Sequence, residues 1–258
     1  MLKELKGLTV PGKIEVERAT LTPQYGKIVA EPLERGFGTT LGNTLRRVIL
    51  SSLYGAAVTS VKIEGVLHEF STLRGVTEDV TEIVLNIKGL RLKLHTDTPK
   101  TITLKKKGPG EAKGSDIVRD GDVEILTPDL HIATLDKDAV LDIEMVVQRG
   151  RGYVPSERQQ TDDLPIGVIP LDAIFTPTKR VNFHVENARV GQVTDYDKLI
   201  MEIWTDGSVN PEEAVSTAAK IIKGHLDIFI PKDELEKSTG IVPTEDESTE
   251  MNIYLSRS

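Results

Sequence analysis

The residues able to do chemistry are few and scattered in this chain. Five histidines, at positions 68, 95, 131, 184 and 225, never fall at metal-ligand spacing, and no P-loop, G-x-S-x-G or H-E-x-x-H motif occurs. The complete absence of cysteine removes thiolate metal sites, disulfides and thiol catalysis. Asp162-Asp163 in QQTDDLPIG offers two carboxylates, but adjacent residues of a strand or loop point apart, so a solvated loop is the better reading. The run Arg149-Gly150-Arg151-Gly152 has the glycines and basic groups to cradle a phosphate through backbone N–H groups, and a structural role competes with that. No catalytic residue, metal ligand or cofactor site is predicted.

Recognition chemistry is easier to find. In LERGFGTTLGNTLRRVILSS, Leu41, Leu45, Val48 and Ile49 share one helical face, whereas Leu50 lies about opposite Leu41 with Arg46 and Arg47 on either side of it. A lone exposed leucine needs no explanation, but one flanked by two guanidinium groups has the composition of a protein contact. Gly42 costs about 1 kcal/mol relative to alanine in a helix interior, which suggests that another backbone or helix passes close by.

The elements that must carry these residues are mostly strands. Val61 and Ile63 alternate with Lys62 and Glu64, Ile102 and Leu104 with threonines, Leu141 to Val147 with acidic residues, and Val181, Phe183 and Val185 with Asn182 and His184. The spacing of Val80, Ile83, Val84 and Ile87 instead predicts a helix that Gly89 can stop. Lys105-Lys106-Lys107, beside GPGEAKG, reads as a solvated hairpin loop.

A further helix marks its own ends: Asn210 can cap it, Pro211 suits its first turn, Glu213 can complete a capping box, and Pro231 ends it. Val215, Ala218, Ala219, Ile222, Leu226 and Phe229 form one stripe. Ala214, Ile221 and Ile228 widen it to roughly 200°, against the ~100° an ordinary surface helix needs. Either this helix is buried centrally in its own domain, or a second copy of the chain covers the remainder. The class predicted is α+β with a mostly antiparallel sheet.

At 258 residues and a net charge of −8, with no stretch approaching the ~18 apolar residues of a membrane span, the chain reads as soluble, cytoplasmic and not membrane-bound. The acidic balance argues against a surface that binds nucleic acid broadly.

The runs EPLERGFGTTLGNTLRRVILSS, GVLHEFSTLRGVTEDVTEIVLNIKGL, DGDVEI, VQRGRGYVPSERQ and ENARVGQVTDYDKLIMEIWTDGSVNPEEA, in this order, resemble the alpha subunits of bacterial DNA-directed RNA polymerase. The resemblance spans about residues 10 to 230. It implies a noncatalytic assembly subunit of a nucleotidyltransferase, homodimerising as the platform for the beta and beta-prime subunits in DNA-templated transcription, with the active site on another chain. It implies two domains: a discontinuous dimerisation domain of residues 1–53 and 180–231, and an inserted mostly-β domain of residues 54–179. A freestanding dimeric binding module on the same scaffold is the alternative.

On the same resemblance, Phe37, Leu41, Leu45 and Val48 of the first helix and Ile222, Leu226 and Phe229 of the last form the dimer interface. Arg46, Arg47 and Leu50, with Lys88 and Asp172 of the insert, meet the large subunits. No cofactor or metal is implied for this chain. Family members continue through a flexible linker into a helical domain that binds promoter DNA. Here residues 232–258, acidic and poor in periodic apolar positions, read as that linker, and the DNA-binding domain is expected to be missing by truncation.

Overall fold

The computed structural model describes residues 14–159, 165–190 and 193–231, together with Thr9 and Pro11. The Asp162-Asp163 pair and the 232–258 tail lie outside the described residues.

The period-two segments are all strands. β1 (Glu15–Val16), β2 (Tyr25–Leu33), β14 (Thr178–Val190) and β15 (Val193–Thr205) form one sheet in the order β1-β2-β15-β14. A second, seven-stranded sheet runs β7-β5-β10-β3-β4-β8, with β12 added beside β3. Its members are β3 (Tyr54–Ile63), β4 (Leu92–Leu94), β5 (Lys100–Lys107), β7 (Ile117–Val118), β8 (Val123–Ile125), β10 (Val140–Arg151) and β12 (Val168–Pro170). Two small ribbons pair β6 (Gly110–Lys113) with β9 (His131–Leu135), and β11 (Tyr153–Val154) with β13 (Ala173–Ile174). These pairings are antiparallel throughout. The α+β class holds, with helices on one antiparallel sheet and a mostly-β insert.

Each sheet has its own apolar core. Ile102, Leu104, Leu141, Ile143, Met145 and Val147, the inward positions of β5 and β10, are buried with Val61 and Ile63 of β3 and with Val80, Ile83, Val84 and Ile87 of α2 (Val80–Lys88). α2 starts where Asp79 accepts the Glu82 N–H at 2.7 Å and stops at Gly89. The other core joins Ile28, Leu33, Val181, Leu199, Met201 and Ile203 of the four-stranded sheet to Ile49 of α1 (Phe37–Ser51) and to Ala214, Val215 and Ala218 of α3 (Pro211–Asp227).

Three details differ from the sequence reading. Lys105, Lys106 and Lys107 are not in a loop but end β5, where Lys105 pairs with Asp142 at 2.8 Å and Lys106 with Asp116 at 2.7 Å. Acids from neighbouring elements pair with Lys105 and Lys106, which the adjoining GPGEAKG had suggested were loop residues. α3 ends at Asp227, one turn before Pro231, and Ile228 caps it. Asn210 accepts the Glu213 N–H at 2.8 Å as expected, but the exposed Glu213 carboxylate makes no return bond among the described residues, so the capping box is half formed.

The third difference concerns α1. Its buried residues are Gly38, Gly42 and Ile49, while Leu41 is exposed and Leu45 and Val48 are only half-buried. The glycines let the helix backbone lie close on β14 and β15. A Cβ on Gly42 would come 2.5 Å from Cδ2 of Phe183 and 2.8 Å from Cδ1 of Leu199. The close neighbour that Gly42 requires is therefore a sheet, not a second helix. Gly42→Ala is expected to destabilise the fold by about 1–3 kcal/mol through overpacking, despite the helix propensity gained. Urea denaturation checks this, and a variant at least as stable as the parent would mean that Phe183 can swing aside.

The start of α1 is held from a distance. Gly36, at φ 85°, has no side chain to cap with, and the first turn contains no acidic residue. Asp197 of β15 supplies the missing acceptor: its Oδ2 takes the N–H of Gly36 at 2.9 Å and of Gly38 at 3.0 Å. A carboxylate there also complements the positive end of the helix dipole.

Candidate functional site

Among the described residues few side chains are arranged for bond-making chemistry. Four histidines sit apart in local pairs: His68 Nδ1 with Ser71 Oγ at 3.1 Å, His95 with Glu124 at 3.6 Å, His131 with Glu78 at 2.8 Å and His184 with Glu186 at 3.5 Å. Among the described residues no group of three or more His, Asp or Glu side chains is placed to hold a metal ion.

The glycines of GRG have a packing role. Gly150 lies opposite Gly55 across β10 and β3, and a Cβ on Gly150 would meet the Phe175 ring at 2.7 Å. Gly152 turns the chain at φ 67° into the β11–β13 ribbon. Both glycines are accounted for without a phosphate.

Glu78 is the most enclosed of the paired carboxylates. Burial, the largest single influence, pushes its carboxyl up. The Thr134 N–H at 2.6 Å, His131 and the Thr134 hydroxyl at 3.0 Å together outweigh it, holding the group below its ordinary value of 4.5. A carboxyl depressed by folding stabilises the native state above its unfolded pKa and stops doing so as pH falls through the folded value. Glu78→Gln should therefore cost about 1–3 kcal/mol at neutral pH, and the gap to the parent should close as the pH drops below 4.5. Thermal melts across that range check it; a gap that widens on acidification would refute the assignment.

Two surfaces carry recognition chemistry. The first is apolar and lies on the helices of the four-stranded sheet. The inner half of α3 is consumed by its own core through Ala214, Val215 and Ala218. The outer half and the turn after it are not: Ile222 is half-buried and Leu226 56% exposed on the helix, and Phe229 is 84% exposed beyond its end, with Ile228 and Ile230 also exposed. Phe37 and Leu41 of α1 add exposed apolar area, while Leu45 and Val48 pack partly on their own protomer. Beside α3 a cleft of about 470 Å³ is lined by Ile14, Val16, Ile28, Val215 and Ala219, with Lys220 and Lys223 among its polar residues.

The second surface is polar. Arg46 and Arg47 are exposed on α1, and neither side chain has a hydrogen-bond or ion-pair partner among the described residues. Leu50 departs from expectation: it is half-buried and packs against the core shared with α3, because α1 buries its glycine face and turns Leu50 toward the neighbouring apolar cluster. Lys88 and Asp172, 84 residues apart, form one ion pair at 3.0 Å. Asp172 Oδ1 also accepts the Ser156 N–H at 2.9 Å; that bond first, and Lys88 second, hold its carboxyl below the usual value. Each of these two residues thus has an intramolecular partner that no spacing rule could reveal.

The described residues thus present an apolar surface toward the ends of α1 and α3 and a separate arginine-bearing face. Residues 61–176 match the family model described as RNA polymerase Rpb3/RpoA insert domain. The chain is 57% identical over 258 residues to the DNA-directed RNA polymerase subunit alpha of Geobacter metallireducens, covering all of this chain and 76% of that protein. It is 61% identical over 218 residues to the subunit alpha of Alkaliphilus oremlandii, covering 84% of this chain and 69% of the relative. With the subunit alpha of Symbiobacterium thermophilum it shares 60% identity over 222 residues, covering 86% and 70%. The chain belongs to the family of DNA-directed RNA polymerase alpha subunits. No helix among the described residues is long and apolar enough to cross a membrane.

Proposed function

We propose that this polymerase subunit is a noncatalytic assembly platform: it homodimerises through α1 and α3, and the dimer binds the beta and beta-prime subunits. The observation that carries the reading is the outer half of α3 and the turn that follows it, where Leu226 and Phe229 stand in solvent beyond the inner half that closes the core. Four large apolar residues in sequence around the helix end are an interaction surface rather than scattered surface hydrophobes. In the dimer, Phe37, Leu41, Ile222, Leu226 and Phe229 of one protomer face those of its partner, and the cleft beside α3 offers further apolar area to receive them. Leu45 and Val48 contribute from the edge.

The dimerising unit is residues 1–53 with 180–231, and residues 54–179 are the insert. Arg46 and Arg47 make the principal polar contact with a large subunit, Lys88 and Asp172 a second one as an ion pair presented whole. Nucleotide transfer takes place on the large subunits, and this chain contributes no cofactor or metal to it. Copurification tests the reading: the dimer should carry two much larger polypeptides with it, whereas a freestanding binding module would carry neither.

A further inference from the structure

The apolar surface of α1 begins at Phe37, 47% exposed, and continues one turn on at Leu41, 38% exposed. The turn that presents them has little of its own to hold it in place. Gly36 and Gly38 flank Phe37, and glycine loses more conformational freedom on being ordered than any other residue. Neither a side-chain cap on Gly36 nor a carboxylate in the first turn supports the helix start. A helix end left in that state keeps unpaired N–H groups and frays.

The support comes from the sheet. The N–H groups of Gly36 and Gly38, on either side of Phe37, both donate to Oδ2 of Asp197, at 2.9 and 3.0 Å, while the Phe37 N–H donates to the Glu34 carbonyl at 3.0 Å. Asp197 lies on β15, an inner strand, opposite Leu33 of β2 and Asn187 of β14. Leu33 ends the strand that leads into α1, so the carboxylate stands on the framework from which the helix departs. Further along β15 at intervals of two, Leu199, Met201 and Ile203 are all buried in the core. A carboxylate at the end of this apolar row adds nothing to apolar burial. A Cβ on Gly38 would come 2.9 Å from the same Asp197 oxygen and 2.8 Å from Cγ1 of Val185, so the turn already lies against the sheet. The two bonds keep it from lifting away.

We propose that Asp197 is the positioning residue of the dimer surface: its carboxylate pins the first turn of α1 to the sheet and so fixes Phe37 and Leu41 in the orientation that a second copy meets. The inference rests on the homodimer reading proposed above, and adds a residue outside the apolar surface on which that surface depends. Without the tether the turn exchanges between docked and frayed states, only the docked state binds, and affinity falls with the docked fraction.

Sedimentation of the whole chain across a dilution series, with a thermal melt of each protein, compares the parent with Asp197→Ala and with Asp197→Ala combined with Thr39→Glu. Thr39 is exposed in the first turn, about 160° around the helix from both Phe37 and Leu41. A glutamate there returns a negative charge to the helix end and can take the Gly36 N–H locally, but makes no tie to the sheet. Asp197→Ala should raise the dimer dissociation constant at least about tenfold, since a cap of ordinary strength changes the docked fraction by about fivefold to thirtyfold and both protomers carry the change. The double variant should regain most of the lost melting temperature but not the lost affinity. If Asp197→Ala dimerises within twofold of the parent, the positioning role is wrong and the dimer reading survives. If the double variant regains affinity along with stability, Asp197 is a helix cap only and the proposal falls. A parent that is itself monomeric removes both. Should Asp197→Ala not fold, Asp197→Ser, whose hydroxyl stops one atom short of the two N–H groups, decides by the same twofold threshold.

Discussion

Leu226→Glu is expected to turn the dimer into a folded monomer. The side chain is more than half exposed on the isolated protomer, so a carboxylate there meets water and leaves the inner half of α3 undisturbed. In the dimer the same carboxylate would be buried without a partner, at a cost of several kcal/mol, which corresponds to roughly two to three orders of magnitude in the dimer dissociation constant. Sedimentation at micromolar concentration, with far-UV circular dichroism to verify folding, reads both halves of the prediction. Ala218→Glu is the contrasting control: Ala218 is fully buried in the protomer's own core, and a charge there should unfold the chain. A Leu226→Glu protein that remains dimeric would remove α3 from the interface.

Arg47→Ala should leave dimer and stability intact while losing most of the affinity for the beta subunit. The Arg47 side chain is exposed and unpaired among the described residues, so its removal should alter stability by no more than about 0.5 kcal/mol. At the centre of a partner interface, an arginine commonly accounts for about 2 kcal/mol or more, near thirtyfold in affinity. Leu50→Ala is not an equivalent probe. Leu50 packs on the core that α1 shares with α3, and its truncation is expected to cost about 2 kcal/mol of folding stability as well. Titration calorimetry with the purified beta subunit, beside a thermal melt of each variant, separates the two effects. Normal affinity in Arg47→Ala would move the contact elsewhere.

The contrast between Arg47 and Leu50 shows how far the sequence alone could lead. Strands such as β5 and β10 were legible because one of their faces is buried, which writes the period of two into the residue types. α2 and α3 were legible because their caps, Asp79 and Asn210, are local. The excess apolar arc of α3 was legible too, although the sequence left open whether its own domain or a second copy covers it.

Which face of α1 meets its own sheet was not legible from the large apolar residues, for a physical reason. A helix pressed closely onto a sheet lines its contact with small residues, so the large leucines mark the flanks and outer surface and the glycines mark the core. Asp197 as the cap of α1, and Asp172 as the partner of Lys88, lie 159 and 84 residues from the groups they serve. Only the assembled sheets bring them together. Lys105 and Lys106 failed for a similar cause, because their acidic partners come from β10 and from the turn after β6.

Native mass spectrometry of the chain, alone and mixed with purified beta and beta-prime subunits, tests the central claim most directly. The assembly account predicts a single species at twice the 28.4 kDa chain mass in isolation, and on mixing a heavier complex that contains two copies of this chain and one of each large subunit. A monomer, or a dimer that leaves both large subunits free, would contradict it.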